Sequence, residues 1–219
     1  MAGDGAPNKR SETVEQVVIR FAGDSGDGMQ VTGTQFTTAT AIAGNDLATL
    51  PDFPAEIRAP AGTLAGVSAF QVNFSASDIF TPGDDLDVLV AMNPAALKAN
   101  LDDLKPGGML IVDREGFTDQ NLKKAECATN PLDDGSLSAY QLFPIEVTRL
   151  TTAALKDLGL SARAVFRCRN FFCLGVTAWL YTRPTEVTES WIRTKFASKP
   201  DVVEANVRAF RAGYAFAEN

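Results

Sequence analysis

A glycine-rich loop between an apolar run and a helix-like segment is the feature that most constrains the fold. Residues 17–22 (VVIRFA) have the β-branched character of a buried strand, and they lead directly into the loop GDSGDG at residues 23–28. Residues 29–43 are predicted to form a helix. Glycines let the backbone turn tightly, and a helix N-terminus offers unpaired N–H groups and partial positive charge to an anion. The pattern is typical of the first strand–helix turn of a nucleotide-binding α/β domain.

The spacing of these glycines disfavours NAD as the ligand. They fall as G-x-x-G-x-G, whereas the dinucleotide fingerprint is G-x-G-x-x-G with an acid about 20 residues later at the end of the second strand. Asp46 would open that strand rather than close it. A loop that faces an anion or a nucleotide is the favoured interpretation, and a plain tight turn is the alternative.

Composition limits the class of protein. A chain of 219 residues is long enough for one generous domain, and its net charge of −7, without a Lys/Arg stripe, argues against a nucleic-acid partner. No apolar run is long enough for a membrane span, so no membrane partner is expected. The three cysteines are Cys127, Cys168 and Cys173. An odd count fits a reducing cytoplasm, and their spacing supports neither a zinc site nor an iron–sulfur site.

The chain contains no histidine. It therefore lacks the commonest general base and the commonest metal ligand in proteins. We assign no catalytic residue and no metal ligand from the sequence. The composition favours a domain that binds a ligand for chemistry performed elsewhere.

Apolar strand patterns alternate with helical ones along the chain. Predicted strands follow the first helix at residues 66–74, 86–91, 109–113 and 141–147, and predicted helices lie at residues 94–104, 148–158, 170–181, 185–196 and 201–218. The alternation predicts an α/β fold: a mostly parallel, Rossmann-like sheet with helices on both faces and a C-terminal helical extension. The glycine loop is expected at the carboxyl edge of this sheet, beside the main concave site.

The predicted division has three parts. Residues 1–13 are polar and are expected to be a disordered arm, residues 14–184 form the α/β domain, and residues 185–219 form the helical extension. The last residues continue a helical pattern. This favours a domain cut from a longer protein.

Three segments resemble a known family: IRFAGDSGDGMQ at residues 19–30, EIRAPAGT at residues 56–63 and RCRNFF at residues 167–172. The chain is similar, from about Val17 to Glu218, to the gamma domain of 2-oxoacid:ferredoxin oxidoreductases. The form it resembles is fused at the N-terminus of the alpha subunit of the 2-oxoglutarate enzyme.

The resemblance implies a role within a larger enzyme. Such enzymes decarboxylate a 2-oxoacid on thiamine pyrophosphate, pass electrons through iron–sulfur clusters to ferredoxin, and transfer the acyl group to coenzyme A. The gamma domain is expected to help bind coenzyme A over an active site built by other domains, and to be inactive alone. Thiamine pyrophosphate, Mg and the iron–sulfur cluster would belong to a thiamine-binding beta subunit or to a thiamine-related domain downstream in the same chain.

The resemblance also supplies the candidate binding residues. They are the loop residues Gly23, Ser25, Gly26, Asp27 and Gly28, together with Arg58 in the proline-rich segment. The guanidinium of Arg58 suits a phosphate through its bidentate fork, and an ion pair with Glu56 is the alternative. Gly26-Asp27-Gly28 also resembles the start of a thiamine–magnesium motif. No asparagine pair follows at the required spacing, so we exclude thiamine binding by this domain.

Two other functions are weighed against this one. The first is an independent oxidoreductase that binds NAD(P) or flavin, which the glycine spacing disfavours. The second is a non-enzymatic assembly domain whose glycine loop is only a turn.

Overall fold

The computed structural model describes residues 12–53 and 66–219 as an α/β fold. The strands are β1 Gln16–Asp24, β2 Asp46–Asp52, β3 Val67–Ser75, β4 Leu86–Ala91, β5 Leu104–Asp113 and β6 Gln141–Ile145. The helices are α1 Met29–Ile42, α2 Pro94–Asn100, α3 Asp119–Lys124, α4 Val147–Leu155, α5 Ala162–Phe166, α6 Arg169–Leu180, α7 Thr185–Lys195 and α8 Pro200–Glu218. Short 3-10 turns lie at Leu101–Asp103, Arg114–Gly116 and Lys156–Leu158.

The six strands form one mixed sheet in the order β2-β3-β1-β4-β5-β6. β1, β4, β5 and β6 are parallel, which confirms the mostly parallel sheet, but β3 runs antiparallel to both β1 and β2. The predicted strand–helix alternation did not show that β3 is antiparallel to both of its neighbours. The sequence between β2 and β3 carries prolines rather than a helical pattern, and parallel neighbours are usually joined through a crossover helix.

Helices cover both faces of the sheet, as predicted. Side chains alternate along β1, so Ile19 and Phe21 enter one hydrophobic cluster while Val18 and Ala22 enter another. The first cluster is completed by α1, α4, α6, α7 and α8, and the second by α2 and α3. The sheet thus separates two cores, in agreement with the near-continuous apolar sequence of its central strands.

The strand predicted at residues 109–113 is longer in the structure and includes residues 104–108. The predicted helix 94–104 ends at Asn100, and β5 already begins at Leu104. Gly107 adopts a positive φ of 78°, and its carbonyl accepts a hydrogen bond of 2.7 Å from Gln141 Nε2. That bond ties the beginning of β5 to the beginning of its neighbour β6.

The helices α6 and α8 cross with their backbones in close contact. A Cβ atom at Gly175 would lie 2.0 Å from the carbonyl oxygen of Phe210, and one at Gly213 would lie 1.9 Å from that of Phe172. Phe172 and Phe210 are themselves fully buried. The helix α8 is thus packed into the first hydrophobic cluster through α6. Among the described helices, none has the length and apolar character needed to cross a bilayer.

We expect Gly213→Ala to lower the free energy of unfolding by about 1–3 kcal/mol, because the added methyl meets backbone atoms that cannot rotate away. Ser190→Ala, an exposed substitution in α7, serves as the control and should change it by less than about 0.5 kcal/mol. The measurement is urea denaturation of both variants. Equal stabilities would contradict the close helix crossing.

Candidate functional site

The glycine loop lies at the carboxyl edge of the sheet, where β1 ends and α1 begins. Asp24, Ser25 and Gly26 are exposed to solvent. Gly26 and Gly28 have positive φ values of 110° and 81°, a conformation in which glycine is by far the least strained residue. The predicted place of the loop at the carboxyl edge is confirmed, and its two positive φ values explain the glycines at these positions. The expectation of the main concave site beside the loop is not confirmed, because cavities of about 440 and 590 Å³ lie along α7 and α8.

The first turn of α1 has the chemical features of an anion-binding helix end. Gly28 occupies the N-cap position in the left-handed conformation, and within the described residues no side chain caps this helix. The first turn contains Met29, Gln30 and Val31 and therefore no acid. Helix N-termini carry N–H groups without intrahelical partners and a partial positive charge. This end of α1 can therefore accept a phosphate or carboxylate.

The side chain of Asp27 points away from solvent and towards α6. Its Oδ1 lies 3.2 Å from Arg169 Nη2, and its Oδ2 accepts a hydrogen bond of 3.0 Å from the backbone N–H of Asp24. Both carboxylate oxygens thus have partners in the protein. Among the candidate binding residues, Asp27 therefore stabilises the loop and does not direct its charge towards solvent.

Arg169 fills the space between the loop and the end of β5. Its Nη1 lies 2.7 Å from Asp113 Oδ2 and 3.4 Å from Thr148 Oγ1, and its Nε donates to the carbonyl of Phe166 at 3.3 Å. The guanidinium also stacks on the Phe166 ring, 3.4 Å from the ring centroid. Only 7% of the side chain is exposed, so this cation connects two carboxylates in a nearly dry environment.

Burial raises the pKa of both carboxyl groups that contact Arg169. The pKa of Asp113 rises to about 6 because desolvation of its charged form outweighs the attraction of Arg169. The pKa of Asp27 is raised for the same reason, and Arg169 again opposes the shift. For both groups the desolvation penalty on the charged form exceeds the stabilisation by the ion pair with Arg169, as is common for buried salt bridges.

The other loop aspartate, Asp24, is hydrogen-bonded to the residue that caps α2. Asp24 Oδ1 accepts a hydrogen bond of 2.8 Å from Asn93 Nδ2, and Asn93 Oδ1 in turn caps α2 by accepting from the N–H of Ala96 at 2.8 Å. One asparagine therefore links the ends of β1 and β4 to the start of α2. The loop is held on both sides, by Asn93 and by Arg169.

Asn170 packs directly against Gly28. A Cβ atom at Gly28 would lie 2.5 Å from Asn170 Nδ2, so only glycine leaves room for this amide. The backbone carbonyl of Asn170 also accepts a hydrogen bond from Thr32 Oγ1 in α1, at 3.5 Å. Among the described residues, Asn170 Oδ1 is buried without a hydrogen-bond partner.

Gln30 fastens the first turn of α1 to the β2–β3 hairpin. Its Nε2 lies within 3.0 Å of the carbonyl oxygens of Asp52 and Ala69 and of Ser68 Oγ. The N–H of Ser25 donates to the carbonyl of Gly66 at 3.3 Å. The candidate Arg58 lies outside the described residues. Asp52 and Gly66, which are described, both lie at this edge of the sheet.

A cavity of about 330 Å³ adjoins the site beside the first turn of α1. Val31, Asn170 and Phe171 form part of its wall, and the basic residues Arg167 and Lys199 also line it. Within residues 12–53 and 66–219, no group of three or more His, Cys, Asp or Glu side chains could hold a metal ion. The arrangement is suited to binding an anionic ligand at backbone N–H groups.

Sequence reasoning found the loop but missed the four side chains that fix it, Arg169, Asn170, Gln30 and Asn93. Arg169 and Asn170 belong to the segment RCRNFF, which was noted only for its resemblance. The partners Asp27 and Arg169 lie 142 positions apart. The available signal was a basic residue at the start of a strongly apolar helix, where burial of a cation requires an acidic partner.

Residues 18–216 match the pyruvate ferredoxin/flavodoxin oxidoreductase family. The chain is 54% identical over 213 residues to the 2-oxoglutarate oxidoreductase subunit KorA of Mycobacterium tuberculosis, covering 97% of this chain and 32% of that protein. The chain therefore spans about a third of the length of this curated relative.

Solved structures show the same fold. A 2-oxoglutarate:ferredoxin oxidoreductase from Magnetococcus marinus, with 2-oxoglutarate, coenzyme A and succinyl-CoA bound, superposes with a TM-score of 0.70 at 26% identity, covering 94% of this chain and 32% of that one. The gamma subunit of a keto/oxoacid ferredoxin oxidoreductase from Geobacter sulfurreducens has a TM-score of 0.61 at 23% identity, covering 92% of this chain and 98% of that one. At that identity the second likeness concerns the fold alone.

The pKa of Asp113 gives a prediction for stability against pH. The folded chain protonates Asp113 near pH 6, whereas the unfolded chain does so near pH 3.8. Between these values the folded state holds the extra proton, so the stability that this group contributes falls as pH rises. The unfolding free energy of Asp113→Asn minus that of the wild type should therefore increase by up to about 3 kcal/mol between pH 4 and pH 7.

Denaturant titrations of both proteins at several pH values measure this difference. Asp157→Asn is the control, because the hydrogen bond with Arg208 lowers the pKa of Asp157, so that its titration lies below pH 4 and the difference from wild type should change little between pH 4 and pH 7. A difference between Asp113→Asn and wild type that does not vary with pH would contradict the raised pKa of Asp113.

Proposed function

The chain belongs to the pyruvate ferredoxin/flavodoxin oxidoreductase family, and we propose that it is the gamma domain of a 2-oxoacid:ferredoxin oxidoreductase. The observation that carries the proposal is the exposed glycine loop in front of the uncapped N-terminus of α1. In this role the domain helps to bind coenzyme A over an active site that other domains build.

The identity of the 2-oxoacid is proposed from the relatives. The M. tuberculosis relative is described as a 2-oxoglutarate oxidoreductase subunit, and its sequence is 54% identical over 97% of this chain. The M. marinus structure is also that of a 2-oxoglutarate enzyme. We therefore propose oxidative decarboxylation of 2-oxoglutarate to succinyl-CoA, with ferredoxin as the electron acceptor, as the reaction of the whole enzyme.

Coenzyme A suits the loop because it carries several phosphate groups. The N–H groups at the start of α1 can donate to a phosphate, and the helix dipole favours its charge. The pairing of the Asp27 carboxylate with Arg169, together with its hydrogen bond from the N–H of Asp24, reduces the repulsion between Asp27 and an anion at the loop. Ser25 and Gly26 remain exposed at the rim of the loop.

The remaining chemistry is assigned to other parts of the enzyme. Thiamine pyrophosphate with Mg would supply the carbanion chemistry and an iron–sulfur cluster the electron transfer, in a thiamine-binding beta subunit and a thiamine-related domain downstream. The contribution of this chain is to bind and orient coenzyme A. We further propose residues 14–184 as the α/β unit, residues 185–219 as the helical connection to the next domain, and the cytoplasm as the compartment.

Each alternative function makes a different prediction. An independent oxidoreductase would bind NAD(P) or flavin at the loop and would act without partner chains. An assembly domain would tolerate charge changes in the loop without any effect on ligand affinity. The glycine spacing disfavours the first, and the open helix N-terminus at an exposed loop disfavours the second.

We expect Ser25→Asp to raise the KM for coenzyme A about fivefold in the assembled enzyme. A carboxylate at this exposed position would repel a bound phosphate by about 1 kcal/mol, without filling packed space. Ser138→Asp is the matched control, because Ser138 is exposed next to Ala139, which bonds to Gly107 near the start of β5, at the opposite edge of the sheet. Equal KM values in both variants would remove the ligand-binding role of the loop.

Arg58→Ala should also raise the KM for coenzyme A, by about one to two decades, if the guanidinium contacts a phosphate directly. Single-turnover decarboxylation of 2-oxoglutarate without coenzyme A should proceed normally in this variant. That half-reaction depends on the thiamine site of another domain. An unchanged KM would favour the ion pair between Arg58 and Glu56.

The isolated chain should show no ferredoxin reduction with 2-oxoglutarate and coenzyme A. It contains no histidine, no cluster-type cysteine run and no thiamine motif, so the redox cofactors must reside elsewhere. The assay is the rate of ferredoxin reduction by the purified chain, with the assembled enzyme as the positive control. Measurable turnover by the chain alone would refute the assignment.

A further inference from the structure

One buried cation joins the glycine loop to the rest of the domain. Arg169 lies at the first position of α6, and its guanidinium contacts Asp27 in the loop and Asp113 at the end of β5. Asp27 in turn accepts the N–H of Asp24, at the start of the same loop. The conformation of the loop thus depends on Arg169, which lies outside the loop and is buried.

We propose that Arg169 is a positioning residue for coenzyme A, because it sets the conformation in which the loop presents its N–H groups. The inference rests on the proposed function and extends it. Arg169 itself does not touch the ligand. It acts through Asp27, and its neighbour Asn170 acts in the same direction by packing against Gly28.

The geometry requires an arginine. Nη2 faces Asp27 while Nη1 faces Asp113, and Nε donates to the carbonyl of Phe166, so three nitrogens of one planar group point in fixed directions. The ammonium of a lysine is a point charge on a flexible stem and cannot reproduce that fork. Arg169→Lys would keep the charge and lose the orientation.

The proposed role differs from a purely stabilising one. Asp27 and Asp113 are both carboxylates that contact Arg169, and burial desolvates both of them. Only Asp27 belongs to the loop, whereas Asp113 belongs to β5. A change on the Asp27 side should therefore raise the KM for coenzyme A more than the same change on the Asp113 side, which reaches the loop only through Arg169.

This asymmetry defines the experiment, which uses the assembled enzyme. Asp27→Glu and Asp113→Glu each retain the charge and add one methylene, on opposite sides of the same guanidinium. We expect Asp27→Glu and Arg169→Lys to raise the KM for coenzyme A at least threefold. Their kcat at saturating coenzyme A should stay within twofold of wild type. Asp113→Glu should leave the KM within twofold of wild type.

Hydrogen exchange of the amides in residues 23–30 gives a second measurement that does not depend on turnover. Exchange should accelerate in Arg169→Lys and Asp27→Glu and should not change in Asp113→Glu. If Arg169→Lys does not assemble, the two glutamate variants decide the matter alone.

The possible outcomes separate the inference from the proposed function. Equal increases in KM for both glutamate variants, or faster exchange with an unchanged KM, would overturn the positioning role of Arg169. If Ser25→Asp still raises the KM in that case, the proposed function stands. If Ser25→Asp also has no effect on the KM, both fall together.

Discussion

The buried guanidinium of Arg169 is the interaction on which the carboxyl edge of the sheet depends. A cation that is almost completely removed from water needs charged or polar partners, and here the partners come from β5, from the glycine loop and from the residues before α6. These three parts of the chain must therefore meet at one point. Their convergence fixes the position of the loop relative to the strands on one side and to the apolar helix α6 on the other.

The same interaction explains how a loop with two aspartates can face an anion. Asp27 is turned inward to Arg169, and Asp24 is bonded to Asn93 at the end of β4. The charge of Asp27 is thus paired with Arg169, whereas Asp24 remains exposed beside the neutral amide of Asn93. The backbone of the loop is also exposed at Ser25 and Gly26, and the first turn of α1 follows it. The acidic residues support the loop, and the peptide N–H groups are left for a ligand.

Local features of the sequence predicted the fold well, and long-range contacts account for what was missed. The apolar runs and the glycine loop specified the central strands, the helices on both faces and the edge that carries the site. The contact of Gly175 with the backbone of Phe210 and the pairing of Asp27 with Arg169 join distant segments, so no periodicity reveals them. Gly175 also interrupts an apolar helix, where glycine is unfavourable, and the close crossing of α8 is the compensation.

The antiparallel direction of β3, which the sequence did not predict, bears directly on the site. Because β3 runs opposite to β1, Val67 at its start pairs with Asp24 at the end of β1, and β2 ends beside it at Asp52. In a uniformly parallel sheet, one of these two strand ends would lie at the far edge. The hairpin instead brings the described residues on both sides of the proline-rich segment to the glycine loop, where Gln30 and Ser25 bond to them. The mixed sheet thus places the end of β2 and the start of β3 together at the rim of the site.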